Sequence, residues 1–305
     1  TSLEVAMSRA GSCSDFVWPR SLCGEEDRLI TEVLIGGAAF LVEALLGLTR
    51  GARCRDDLLS MLQGYANHHD VWELWHKSAA RDAGVMLLIF VCIVVIHITG
   101  ALQYSGPHTV SKWLDACTNI SIIGVLMLHF TFLLYVLRML VVTVDVFCYT
   151  SVQDPNVSRA ADSWNVLQAL LRKASTMLEF VLIVFLAMAA SSVPALILDH
   201  IALGSFSKTL RLQSSHTLVI CGVLYVFMVA AAVTDKCKRV PSLLNSLCFG
   251  VGRERQRLHL VEYIVYSAAG FYIWGVRLTL EMVTKFIYVW FVILFAFVGQ
   301  ERTND

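Results

Sequence analysis

The sequence predicts an all-α polytopic membrane protein, and three observations carry that prediction. Of its 305 residues, 57% are apolar and 16% charged, with a mean hydropathy of +0.65, whereas a soluble domain carries about 25% charged residues. Six apolar stretches are long enough to cross a hydrocarbon core of about 30 Å at about 1.5 Å per helical residue. The charges gather between these stretches, in segments that themselves show apolar residues at helical spacing. Net charge is zero, so the total favours no nucleic acid or other polyanionic partner. The nine cysteines form no CxxC pair, and Cys92 and Cys221 lie inside apolar runs as small hydrophobes. No metal site or cofactor is expected.

The first apolar run, Leu29 to Leu48, carries Glu32 and Glu43. A carboxylate at mid-bilayer is costly, which puts Glu43 near a membrane surface or in a functional interior. Residues 50–82 follow as two short amphipathic helices, with Leu58, Leu59, Met61, Leu62, Trp72, Leu74 and Trp75 at helical spacing. His68, His69 and His76 there lack a carboxylate or cysteine at ligand spacing and read as part of a solvated loop. Gly84 to Tyr104 is the second span. Asn119 to Thr143 is the third, and in it Arg138 stands two turns from Asp145, so an intrahelical network or a snorkelling arginine accounts for the charge.

The tract 149–173 holds a formal glycosylation sequon at Asn156 and then Trp164, Leu167, Leu170 and Leu171 at helical spacing. Met177 to Leu198 is the fourth span, kinked or ended at Pro194. His216 to Thr234 is the fifth, followed at once by Lys236, Lys238 and Arg239. The chain closes with an amphipathic piece from Leu258, breaks at Gly270 and Gly275, and a sixth span, Leu278 to Gly299. At the start of the last helix Arg277, Glu281 and Lys285 stand four apart as a ladder on one helical face.

Orientation follows from lysine and arginine. Loops 49–83, 146–176 and 235–265 hold 14 of them, against 7 in the segments on the opposite side. The excess places the first set in the cytoplasm. Residues 1–28 and the tail 300–305 are then extracellular, with a multi-pass bundle over 29–257 and a C-terminal unit over 258–299. Asn156 falls on the wrong side for glycosylation.

The end of the chain resembles the C-terminal region of arthropod gustatory receptors, in the family that also includes insect odorant receptors. Gly270-Phe271-Tyr272 resembles that family's Gly-Phe break, and Arg277-Leu278 with Leu280 resembles the start of its last helix. The family signature is Thr-Tyr, five hydrophobics, then Gln-Phe. Tyr288 and Phe295 match it, while Ile287 replaces the Thr and Leu294 the Gln. The resemblance extends to the long loop 49–83, the leucine-bearing helix before Met177 and the Thr-Asp-Lys-Cys exit at 234–237. The family has seven spans, so the resemblance implies that the first is absent from this sequence.

The resemblance implies a chemosensory, ligand-gated cation channel in the plasma membrane, a homo- or heterotetramer of related subunits opened by a small-molecule tastant. Carried over by position, Phe291, Leu294 and Phe295 face the pore. A ring of apolar side chains gates by dewetting, and Leu294 in place of a polar residue implies a tightly closed resting state. Leu258, Val261, Ile264 and Val265 would meet their counterparts in a cytoplasmic anchor. His97, Tyr104, His129 and Phe130 would lie at the depth of the ligand pocket, where a few polar groups fix a ligand in an apolar cavity. Two alternatives use the same composition: a secondary transporter, hinted at by Glu43 with the Pro194 break, and a non-conducting membrane receptor subunit. Enzyme function has the least support, because no nucleophile, base and acid share a depth.

Overall fold

The computed structural model describes residues 51–102, 109–154, 156–203, 206–247 and 253–301. The first expected span, Leu29 to Leu48, and Tyr104 lie outside the described residues. Seven helices are described: α1 (Gly51–His68), α2 (Trp72–Leu102), α3 (Thr109–Gln153), α4 (Val157–Leu203), α5 (Phe206–Ser246), α6 (Glu254–Ser267) and α7 (Leu280–Glu301). Two short strands, β1 (Tyr272–Ile273) and β2 (Val276–Arg277), stand between α6 and α7. The protein is an all-α polytopic membrane protein with this one hairpin inserted.

Among the described residues, four stretches are long and apolar enough to span a bilayer, within 72–99, 116–153, 157–193 and 216–246. The helices cover the third to fifth expected spans and the second as far as Leu102, and each begins or ends well beyond the expected bounds. The 45 residues of α3 and 47 of α4 measure roughly 65–70 Å at 1.5 Å per residue, about twice the hydrocarbon core. Tracts expected as loops are therefore helical extensions. Their periodic apolar residues face a shared interior, as Val144 and Phe147 do on α3, Trp164, Leu167, Leu171 and Ala174 on α4, and Cys237, Val240 and Leu244 on α5.

Two expectations change. The second amphipathic piece in 50–82 is no separate helix: it is the first turns of α2, which continues unbroken into the span. Trp75 anchors it, fully buried, with its indole N–H donating to the Tyr135 carbonyl at 2.9 Å and its ring 4.4 Å from that of Tyr135. At Pro194 the helix does not end, and α4 runs on to Leu203. Asn156, the sequon residue, caps α4 by accepting the Ser158 N–H through its side-chain oxygen at 3.1 Å.

The helices differ in enclosure. In α5, 61% of the apolar window is buried, against 22% in α2. The fifth span is thus the central post, and α2 turns Leu87, Leu88 and Val95 outward. Helix α6 packs on the extensions of α4 and α5, with Leu260 and Ile264 buried. This shifts the expected anchor face. Ile264 faces the protein's own core and Val261 is partly buried, while Leu258, Val265 and Tyr266 are exposed.

Candidate functional site

The site is built around the chain reversal between α6 and α7. Helix α6 ends at Ala268 in the left-handed conformation, φ 47° and ψ 42°, with its N–H on the Val265 carbonyl at 3.3 Å. The chain then turns through Gly270 into the hairpin. Trp274 and Gly275 both have positive φ, 50° and 71°, the combination a two-residue type I′ turn requires. Register follows as Tyr272 opposite Arg277 and Ile273 opposite Val276. The break expected at Gly275 is thus the apex of a hairpin.

Side chains of two long helices hold the hairpin by its backbone. The N–H of Phe271 donates to Thr234 Oγ1 of α5 at 2.9 Å. The N–H of Tyr272 donates to Ser175 Oγ at 3.1 Å, and that of Trp274 to Glu179 Oε1 at 2.5 Å, both on α4. Phe271 and Thr234 are fully enclosed. Gly270 makes the fit possible: a Cβ there would stand 2.8 Å from Arg277 Nε and 3.1 Å from Thr234 Cγ2. One level away, the Trp164 indole donates to Ser267 Oγ at 2.7 Å and the Gln168 amide to the Ser267 carbonyl at 2.9 Å. The reversal is therefore clasped from the end of α6 to the start of α7.

The expected ladder on α7 is only partly present. Arg277 lies in β2, before the helix begins, and donates to the Ala269 carbonyl. Glu281 and Lys285 do pair, at 2.6 Å, with both side chains exposed. They share an open groove of about 830 Å³ with Tyr288 and with Asp235 of α5.

The 22 residues of α7 measure about 33 Å, enough to cross a hydrocarbon core. Among its described side chains Val283 is buried and Ile287 partly so, while Met282, Tyr288, Val289, Phe291 and Val292 are exposed. A mostly apolar helix is thus covered along one stripe. Phe291 belongs to the uncovered part. Leu294 and Phe295 lie on the same helix, with side chains outside the described residues.

The expected pocket residues fall on two helices. His97 is buried on α2. His129 is half-buried on α3 with Nδ1 2.8 Å from the Val125 carbonyl, so a protonated Nδ1 donates there. Phe130 is fully buried, its ring centroid 4.9 Å from that of Phe185. Gly222 of α5 lies flat against it, and a Cβ there would stand 2.7 Å from the Phe130 ring. Phe130 is thus the point where α3, α4 and α5 meet.

One cluster was not foreseen. Arg138 of α3 turns to Asp82 of α2, not to Asp145: Nε is 2.5 Å from Oδ2 and Nη2 3.2 Å from Oδ1. Tyr225 of α5 completes the set, its hydroxyl 2.8 Å from Arg138 Nη2 and 3.2 Å from Asp82 Oδ1. The Asp82 side chain is 5% exposed and that of Arg138 20%. Asp145 pairs with Lys236 of α5. The available signal was Asp82 itself, a carboxylate at the head of an apolar run, where an ionised group needs a partner.

No protein-family model matches the sequence, and no curated protein matches it. Among solved structures, the insect olfactory receptor OR5 from Machilis hrabei is similar, with a TM-score of 0.53 over 89% of this chain and 80% of that one at 10% sequence identity. At that identity the likeness establishes a shared fold.

Proposed function

We propose that the chain is a subunit of a chemosensory receptor that acts as a ligand-gated, non-selective cation channel in the plasma membrane. The observation that carries this reading is the uncovered apolar face of α7. A bilayer-length helix held at its base by a clasped hairpin, with one narrow stripe against its own bundle, is the arrangement a pore-lining helix needs. Exposed Leu258, Val265 and Tyr266 on α6 supply a matching surface for related subunits, and a tetramer closes the ring. Similarity in fold to an insect olfactory receptor supports the chemosensory class.

In this reading Phe291, Leu294 and Phe295 form an apolar gate that excludes ions until it widens. His97, Tyr104, His129 and Phe130 border the pocket for a small-molecule tastant, and the C-terminus is outside. Hairpin and anchor lie on the cytoplasmic side with the arginine- and lysine-rich extensions. The gustatory type rests on the residues Gly270, Phe271, Tyr288 and Phe295 that resemble that family.

The test is whole-cell current from the surface-expressed chain, alone and with related subunits, over a tastant panel, comparing wild type with Leu294→Gln. A cation current that grows or changes selectivity in the variant supports the gate. Well-expressed surface protein without current in either form, in every subunit combination, refutes it.

A further inference from the structure

The cluster of Asp82, Arg138 and Tyr225 joins three helices inside the apolar bundle. Burying an ion pair costs its hydration, so stability alone is a poor reason for its presence. Its geometry suits a different role. Arg138 reaches α2 and α5 at once, and the Tyr225 hydroxyl touches both members of the ion pair. In a low-dielectric interior such a network is either closed or lost, because a half-broken one strands a charge. That makes it a two-state element, the kind of device through which distant sites can share an equilibrium.

Helix α5 carries the connection. Going toward the hairpin, it presents Gly222 to Phe130, then Tyr225 to Arg138 and Asp82, then Thr234 to the Phe271 N–H. These contacts lie within a little over three turns of one helix, at about 3.6 residues per turn. A displacement of α5 that releases Tyr225 therefore acts on the Thr234 bond that seats the hairpin under α7.

We infer that Asp82, Arg138 and Tyr225 form an intramembrane latch that fixes the position of α5 and thereby the seating of the hairpin beneath the last helix. The consequence for gating rests on the channel reading above; the mechanical link from latch to hairpin does not. The three are positioning residues, acting on the gate through α5.

Two measurements on the full chain separate these claims. Hydrogen exchange of the segment 268–279 reads the hairpin directly, in wild type, Tyr225→Phe, Asp82→Asn and the charge-keeping Asp82→Glu. Tyr225→Phe removes one hydroxyl and keeps the ring, so it stays informative if Asp82→Asn fails to fold. A latch speeds exchange at Phe271 and Tyr272 by about fivefold or more in Tyr225→Phe, the low end of typical coupling between sites, and Asp82→Glu restores protection relative to Asp82→Asn. Exchange in Tyr225→Phe that rises around residues 82, 138 and 225 while the hairpin stays at the wild-type rate overturns the latch. Recording current from the same proteins decides the gating consequence. Unliganded current and ligand midpoint shift together if the latch biases a shared equilibrium. A conducting wild type whose variants match it in both sinks that consequence. Absence of current from wild type counts against the channel reading and leaves the exchange result to decide the latch.

Discussion

Replacing Thr234 by Val tests whether one hydroxyl seats the hairpin. The two side chains have nearly the same shape, so packing is kept and the acceptor for the Phe271 N–H is lost. Both residues are fully buried, so water cannot take the place of the 2.9 Å bond. A buried donor left without a partner costs about 1–3 kcal/mol, which is roughly a 5- to 150-fold change in an equilibrium constant at 1.4 kcal/mol per decade. The bonds from Ser175 and Glu179 to the hairpin remain, so the loss is local. Exchange of the amides in 270–279 is expected to accelerate within that range in Thr234→Val and to return toward wild type in Thr234→Ser, while the core of α5 stays protected. Unchanged exchange at Phe271 would show that the bond does not hold the hairpin. Loss of protection throughout α4 and α5 would show that the hairpin is not a separately seated unit.

Three further outcomes are expected. Gly222→Ala pushes a methyl to 2.7 Å from the Phe130 ring, and overpacking of this kind costs about 1–3 kcal/mol; thermal unfolding in detergent is lowered, and Phe130→Leu on the same chain recovers part of the loss. Beside α1, His69 lines a groove of about 800 Å³ with Tyr65, His68, Asp154 and Arg159. Burial, and then the neighbouring His68, hold the His69 imidazole below its usual range, while burial lifts the Tyr65 phenol to about 12 and keeps it neutral. The unfolded chain therefore binds more protons at His69 than the folded one, so this contribution to stability is lost as pH falls from 6.5 through the lowered folded value. Unfolding midpoints measured against pH are less acid-sensitive in His69→Gln. Lys285→Gln breaks a fully exposed pair with Glu281, so the unfolding midpoint stays at the wild-type value.

The second to fifth spans were legible because each is a long apolar window, a signal that survives without any knowledge of neighbours. The inward face of the α4 extension was legible for a similar reason: Trp164, Leu167, Leu170 and Leu171 repeat at the helical period, and all four are buried. Partners across helices were not. Spacing along α3 offered Asp145 to Arg138, yet Arg138 binds Asp82, 56 residues earlier, and Lys236, 91 residues later, takes Asp145. The phase of α6 was misread because its apolar residues lie on two faces, and only packing on α4 and α5 decides which one turns inward. The hairpin had a local signal in Trp274-Gly275 between Tyr272-Ile273 and Val276. It was masked by the apolar helices on both sides, which made Gly275 read as a helix break. Thr234, Ser175 and Glu179 are ordinary polar residues in sequence and acquire their role only when the hairpin's N–H groups reach them.

The central claim is that α7 lines a pore. Single cysteines placed in turn from residue 286 to 298, in a background with reactive native cysteines replaced, would be treated with a water-soluble thiol reagent during current recording. The account predicts that reagent blocks current at 291, 294 and 295 and spares 287, in the stripe packed on the bundle. Equal protection at 291, 294 and 295 in channels that conduct would place those side chains against lipid or protein and contradict the account.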